Sequence, residues 1–129
     1  MKRHKHARLM LQLARRDLKA LDNMNDPDKF DDAVFGFFAQ QVAEKALKGW
    51  VSLVDAVYPK THDIRILLRL LEKKGISGLN RYRKLADLTD FAVEYRYDLF
   101  EYSALSRDAL LKSVRELVEH VEELMEGEI

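Results

Sequence analysis

Phe35-Gly36-Phe37-Phe38-Ala39-Gln40-Gln41-Val42-Ala43-Glu44-Lys45-Ala46-Leu47-Lys48-Gly49-Trp50-Val51 decides the fold. Stepped at 3.6 residues per turn, it separates two faces. Phe35, Phe38, Ala39, Val42, Ala43, Ala46, Leu47, Trp50 and Leu53 cover about half of the circumference, whereas Gln40, Gln41, Glu44, Lys45, Lys48 and Ser52 fall on the other half. An apolar arc that wide, carrying a tryptophan and several phenylalanines, predicts a central bundle helix. Gly36 and Gly49 each weaken it by roughly 1 kcal/mol relative to alanine, so both are expected where another helix or a ligand comes close.

Outward from this helix, the apolar positions keep helical spacing. Ala7, Met10, Leu11, Ala14, Leu18 and Leu21 predict a first helix from about Arg3 to Leu21. Asp22-Asn23-Met24-Asn25-Asp26-Pro27 is a turn, and the central helix starts between Pro27 and Asp32 and runs to about Val57. Pro59 stops it, Thr61 is placed to cap a short third helix, and Ile64, Leu67, Leu68 and Leu71 form that helix's buried stripe. Lys73-Lys74-Gly75 ends the third helix. Leu85, Leu88, Ala92 and Tyr95 give a fourth stripe from Leu79 to about Tyr95, and the aromatic-rich segment Tyr95 to Ser103 reads as a kink or loop. A fifth helix, about Ala104 to Met125, carries Leu110, Val114, Leu117, Val118, Val121, Leu124 and Met125. No stretch shows strand alternation. The expected fold is an all-α, five-helix up-and-down bundle with one short third helix, in a single domain over residues 1–129.

Composition narrows the function classes. At 47% hydrophobic and 34% charged, the chain is too apolar for a disordered tail and too charged for a membrane protein. It has no apolar run long enough to span a bilayer and no secretory signal pattern, so the expected compartment is cytoplasmic. Zero cysteines exclude disulfides, thiol catalysis and cysteine-ligated zinc. Four scattered histidines without carboxylates at ligand spacing give no metal site, and no cofactor motif is present. The net charge is zero but uneven: Lys2, Arg3, Lys5, Arg8, Arg15, Arg16 and Lys19 lie early, and six glutamates follow Arg115. That pattern reads either as a nucleic-acid arm with an acidic tail, or as two solvated faces that attract when the terminal helices pack side by side.

Three landmarks stand in order: Gln40-Gln41-x-x-Glu44-Lys45-x-x-Lys48, then Lys60-Thr61-His62-Asp63, then Tyr95-Arg96-Tyr97. With the early Arg16-Asp17-Leu18 they resemble the HEPN domain (higher eukaryotes and prokaryotes nucleotide-binding), over nearly the whole chain. The resemblance implies a helical bundle that often forms a homodimer. It also implies a small prokaryotic protein, of a kind often encoded beside a minimal nucleotidyltransferase in toxin–antitoxin-like pairs, and binding of nucleotide or RNA. Many members are ribonucleases with an arginine followed, four to six residues later, by a histidine. Here the six residues after Arg96 contain no histidine, and Asp98 stands where that branch usually has proline after Arg-Tyr. The expectation is therefore a non-catalytic module with no catalytic residue assigned.

The candidate binding residues are Arg96, Lys45, Lys48, Tyr97, Tyr102, Gln41 and His62. A guanidinium at Arg96 offers phosphate a bidentate grip, and Tyr97 and Tyr102 offer a base a stacking surface. The competing reading pairs Arg96 with Glu94, Asp98 or Glu101. Lys45 and Lys48, with Gln41 one turn earlier, suit a phosphate or a partner's carboxylate; the plain alternative is a solvated face with a Glu44–Lys48 ion pair. His62, at a helix start, suits an anion or a catalytic role, or else merely orients its loop. His4, His6 and His120 are expected at the surface. Two rivals remain: a ribonuclease toxin with a degenerate Arg-x5-Tyr motif, whose base is His62 or Tyr102, and a structural, oligomeric helical scaffold.

Overall fold

A computed structural model describes residues 2–87 and 107–127. They form α1 (Lys2–Asn23), α2 (Asp32–Leu53), α3 (Ile64–Lys73), a 3-10 helix (Leu79–Asp87) and α4 (Arg107–Gly127). No strand occurs among the described residues, and the all-α reading holds. Tyr95 to Ser106, and the second half of the expected fourth helix, lie outside them.

The centre is α2, which packs against α1, α3 and α4. The half-and-half division expected of it needs correction. Gln40, Glu44 and Ser52, placed on its polar half, are buried, whereas Phe38 is partly exposed. A helix with neighbours on three sides has no broad wet face, so its polar residues must find partners inside. Gly49 explains one close approach: a β-carbon there would sit 3.3 Å from the carbonyl oxygen of Ala7 on α1.

The buried stripes of α1 (Ala7, Leu11, Ala14, Leu18, Leu21) and α3 (Ile64, Leu67, Leu68, Leu71) fall where their spacing puts them. On α4, Val114, Leu117, Val118, Val121 and Met125 are buried as spaced, and the seam departs only near its ends: Leu111 is buried in place of the partly covered Leu110, and Leu124 is exposed. The charged faces of the terminal helices do meet. Arg15 on α1 holds Glu122 on α4, and Arg115 on α4 reaches Asp22 at 3.0 Å. Seven residues forward on one helix match seven back on the other, the register of an antiparallel pair.

Helix ends depart from expectation for identifiable reasons. The end of α2 comes at Leu53, not Val57, because Asp55 turns left-handed (φ 60°). The amide of Asp55 then donates to Ser52 O (3.1 Å) and that of Ala56 to Val51 O (3.0 Å), which satisfies the last carbonyls. The same motif closes α3, with Gly75 left-handed (φ 82°) and Ile76 N donating to Leu71 O at 3.1 Å. The cap of α3 is Asp63 rather than Thr61: its carboxylate accepts from Arg65 N at 2.9 Å, while Thr61 Oγ1 accepts from Asp63 N at 3.0 Å. At the start of α4, Arg107 is a buried cation (side chain 9% exposed). It donates to Asp32 Oδ1 (2.8 Å) and to the carbonyls of Met24 and Phe30, pinning α4 to the α1–α2 loop.

The surface position expected for His120 is also corrected. It is half-buried on α4, its ring edge-on to Trp50 (5.2 Å between centroids) and near Tyr82. Burial, then the positive charge of Arg81, push its pKa below the ordinary histidine value, against a smaller opposing pull from Glu123. The imidazole is held neutral.

Candidate functional site

The polar residues of α2 converge on one carboxylate. Glu44 (side chain 5% exposed) accepts from His62 Nδ1 at 2.9 Å and lies 3.6 Å from Lys48 Nζ. One turn earlier, Gln40 donates from Nε2 to the backbone oxygen of His62 (2.9 Å) and, at 3.4 Å, to Glu44. Gln40 Oε1 accepts from Gln41 Nε2 at 2.8 Å, so each polar group of the row is anchored by the next. Burying a carboxylate is tolerable only when such partners replace water.

The consequence falls on His62. Its side chain is 73% exposed although its Nδ1 is fixed to a buried group. An ionised carboxylate only accepts hydrogen bonds, so Nδ1 carries the proton of this bond and Nε2 is left facing solvent. The loop 54–63, folded back by the left-handed turn at Asp55, brings His62 across the polar side of α2. Lys48 is boxed in: its ammonium also lies 5.3 Å from the centre of the Tyr58 ring. The Tyr58 hydroxyl is hydrogen-bonded to His6 Nε2 on α1 (2.6 Å), and burial, helped by the charge of Glu44, raises its pKa and keeps it a neutral phenol.

Of the residues proposed from sequence, Gln41, Lys48 and His62 therefore share one network. Lys45 is turned to α1, where it pairs with Asp17, itself in contact with Arg16 at 3.2 Å. The helical three-residue spacing of Lys45 and Lys48 thus serves two different neighbours. Arg96, Tyr97 and Tyr102 lie outside the described residues. Sequence reasoning missed Gln40 and Glu44 as the organising pair. The signal was present in the Gln-Gln-x-x-Glu spelling, whose i,i+4 partners share a face.

A sequence model of the HEPN domain matches residues 7–126, nearly the whole chain. The chain belongs to the HEPN domain family. No curated protein and no solved structure matches it. In this HEPN domain the two earlier landmark stretches are one physical object, since Glu44 of the first holds His62 of the second. Among the described residues no helix is long and apolar enough to cross a membrane, and no group of three or more His, Asp or Glu is placed to hold a metal ion.

Proposed function

We propose that this HEPN domain binds the phosphate of a nucleotide or RNA, without cleaving it, on the open side of the Glu44 cluster. Membership of the family supports a nucleotide- or RNA-related role in general. The observation that carries the reading is the exposed His62 imidazole locked to buried Glu44 beside Lys48. A rigidly aimed ring at an open surface loses little entropy when it takes a ligand; with a proton on Nε2 as well as on Nδ1 it donates to a phosphate oxygen, and the Lys48 charge beside it favours an anion. Arg96, with Tyr97 and Tyr102 for a base, joins the proposal from the sequence alone. The same face serves a second use, docking a minimal nucleotidyltransferase in a toxin–antitoxin-like pair, with the domain acting as a homodimer.

Isothermal titration with ATP, UMP and a short oligonucleotide tests this. The expected outcome is saturable heat that falls at least about tenfold in affinity in both His62→Ala and Arg96→Ala. Absence of heat with every ligand overturns nucleotide binding and leaves only partner docking.

A second reading is favoured by the Glu44–His62 bond itself. A carboxylate that orients an imidazole by its Nδ1–H is the arrangement a general base needs. If His62 takes the proton of an RNA 2′-hydroxyl, purified protein cleaves RNA without metal, and His62→Ala abolishes cleavage. RNA left intact over a long incubation removes this reading.

A further inference from the structure

The chain as a whole is neutral, yet the lobe made by α3 and the 3-10 helix is not. Between residues 60 and 87, eight lysines and arginines stand against three carboxylates, a net charge of +5. All eight cations are exposed. The two helical periods arrange them. On α3, Arg65, Arg69 and Lys73 follow one another at four-residue steps opposite the buried leucines. The 3-10 helix repeats every three residues, so Leu79, Tyr82 and Leu85 are buried together while Arg83 and Ala86 share a different edge. That edge faces α3: Arg65, Leu68, Arg69, Glu72, Arg83 and Ala86 line one groove of about 280 Å³.

Two of its three arginines are held in place by carboxylates. Arg65 contacts Asp63 at 3.0 Å, and Arg83 contacts Glu72 while donating to Asn80 Oδ1 at 2.7 Å. Arg69 has no ion pair among the described residues, nor do Lys73 and Lys84. We infer that this lobe is a second anion site, and that its ligand is the phosphodiester backbone of a single-stranded RNA. The choice of RNA rests on the phosphate-binding reading of the Glu44 face; the lobe extends it from a mononucleotide to a strand.

Three features select a strand over other anions. The row from Arg65 to Lys73 runs roughly 12 Å at 1.5 Å per residue, more than one phosphate occupies. Guanidinium groups grip phosphate oxygens two at a time. The large exposed apolar side chains, Leu9, Phe38, Val57 and Leu124, all lie outside residues 60–87, so the lobe has no wedge for a lipid surface. Tyr82, the aromatic residue of α3 and the 3-10 helix, is buried, which leaves these two elements no ring for base stacking and predicts binding indifferent to base identity.

The test is fluorescence anisotropy of labelled U20 and A20 oligoribonucleotides over a salt series, with wild type, Arg69→Ala/Lys73→Ala/Lys84→Ala and Lys112→Ala. All three lobe side chains are exposed, so the triple variant keeps its melting temperature and helical circular dichroism. Its affinity falls at least about tenfold, and the slope of log K against log salt becomes shallower by about 2, at roughly 0.7 per phosphate contact on a single strand. Lys112→Ala, which removes an exposed cation on α4, binds as wild type, and U20 and A20 bind within about threefold of each other. A triple variant that binds as wild type overturns the inference. So does binding to phosphatidylserine vesicles with none to either oligonucleotide, which would make the lobe a membrane surface. ATP titration separates the two sites. ATP binding without strand binding sinks the lobe alone; strand binding sensitive to the triple substitution, with no ATP binding, sinks the Glu44-face reading alone.

Discussion

Glu44 shows how one buried charge can organise a surface. Removing its side chain as alanine strands Lys48 and frees His62, while Gln40 keeps the His62 carbonyl; a lost partner of this kind costs about 1–3 kcal/mol. Glu44→Gln retains an acceptor and the volume but gives up the charge, so it is expected to cost less than Glu44→Ala. Urea denaturation of the two variants measures the difference, and equal, negligible losses would mean that the network contributes nothing to stability. Little of this was legible in the sequence. Gln40, Glu44 and Lys48 are polar residues on one helix stripe, and a stripe of that kind ordinarily faces water. Only the position of the loop carrying His62, set by a left-handed aspartate that sequence does not announce, closes the stripe off. Lys45 illustrates the same limit, since its partner Asp17 stands 28 residues away on another helix.

Helix contacts are where periodicity serves best. The α1 and α3 stripes emerge as spaced because each of these helices turns a single face to the core, and a single face leaves a clean repeat. On α2, covered on several sides, the repeat finds the buried apolar residues, Phe38 excepted, but not the buried polar ones, and α4 slips by one position at Leu110 and Leu111. Gly49 marks the contact of α1 with α2. A β-carbon at Gly49 would lie 3.3 Å from Ala7 O, 3.6 Å from Met10 Cβ and 3.7 Å from Leu11 N, so a larger side chain would press mainly on backbone. Gly49→Leu is expected to cost about 1–3 kcal/mol by overpacking, outweighing the gain of roughly 1 kcal/mol in helix propensity. Thermal melting followed by circular dichroism reads this directly; a variant as stable as wild type would contradict the close approach.

Across the whole molecule, α4 ties the two ends of the chain to the centre, and His120 makes that tie sensitive to acid. Its neutral ring packs on Trp50 of α2 and near Tyr82 of the 3-10 helix, with Arg81 opposing and Glu123 favouring protonation. The folded-state pKa is depressed below 6.5, so the unfolded chain binds the proton first. Stability from this group is complete above pH 6.5 and is lost as the pH falls from there to the lowered folded value. Between pH 7.5 and 5.0 the wild type is expected to lose more in Tm than His120→Phe, as thermal melts at the two pH values would read. Parallel pH profiles for the two proteins would show that the half-buried imidazole does not contribute.

The proposed function stands or falls on the open nitrogen of His62. The most direct measurement is a long-range proton–nitrogen NMR spectrum of the His62 ring during titration with UMP. The expected result is a proton on Nδ1 in the free protein and a saturable shift of Nε2 toward its protonated, donating form as the nucleotide is added. A free ring protonated on Nε2 instead, or one whose Nε2 signal stays put at saturating nucleotide, would contradict it.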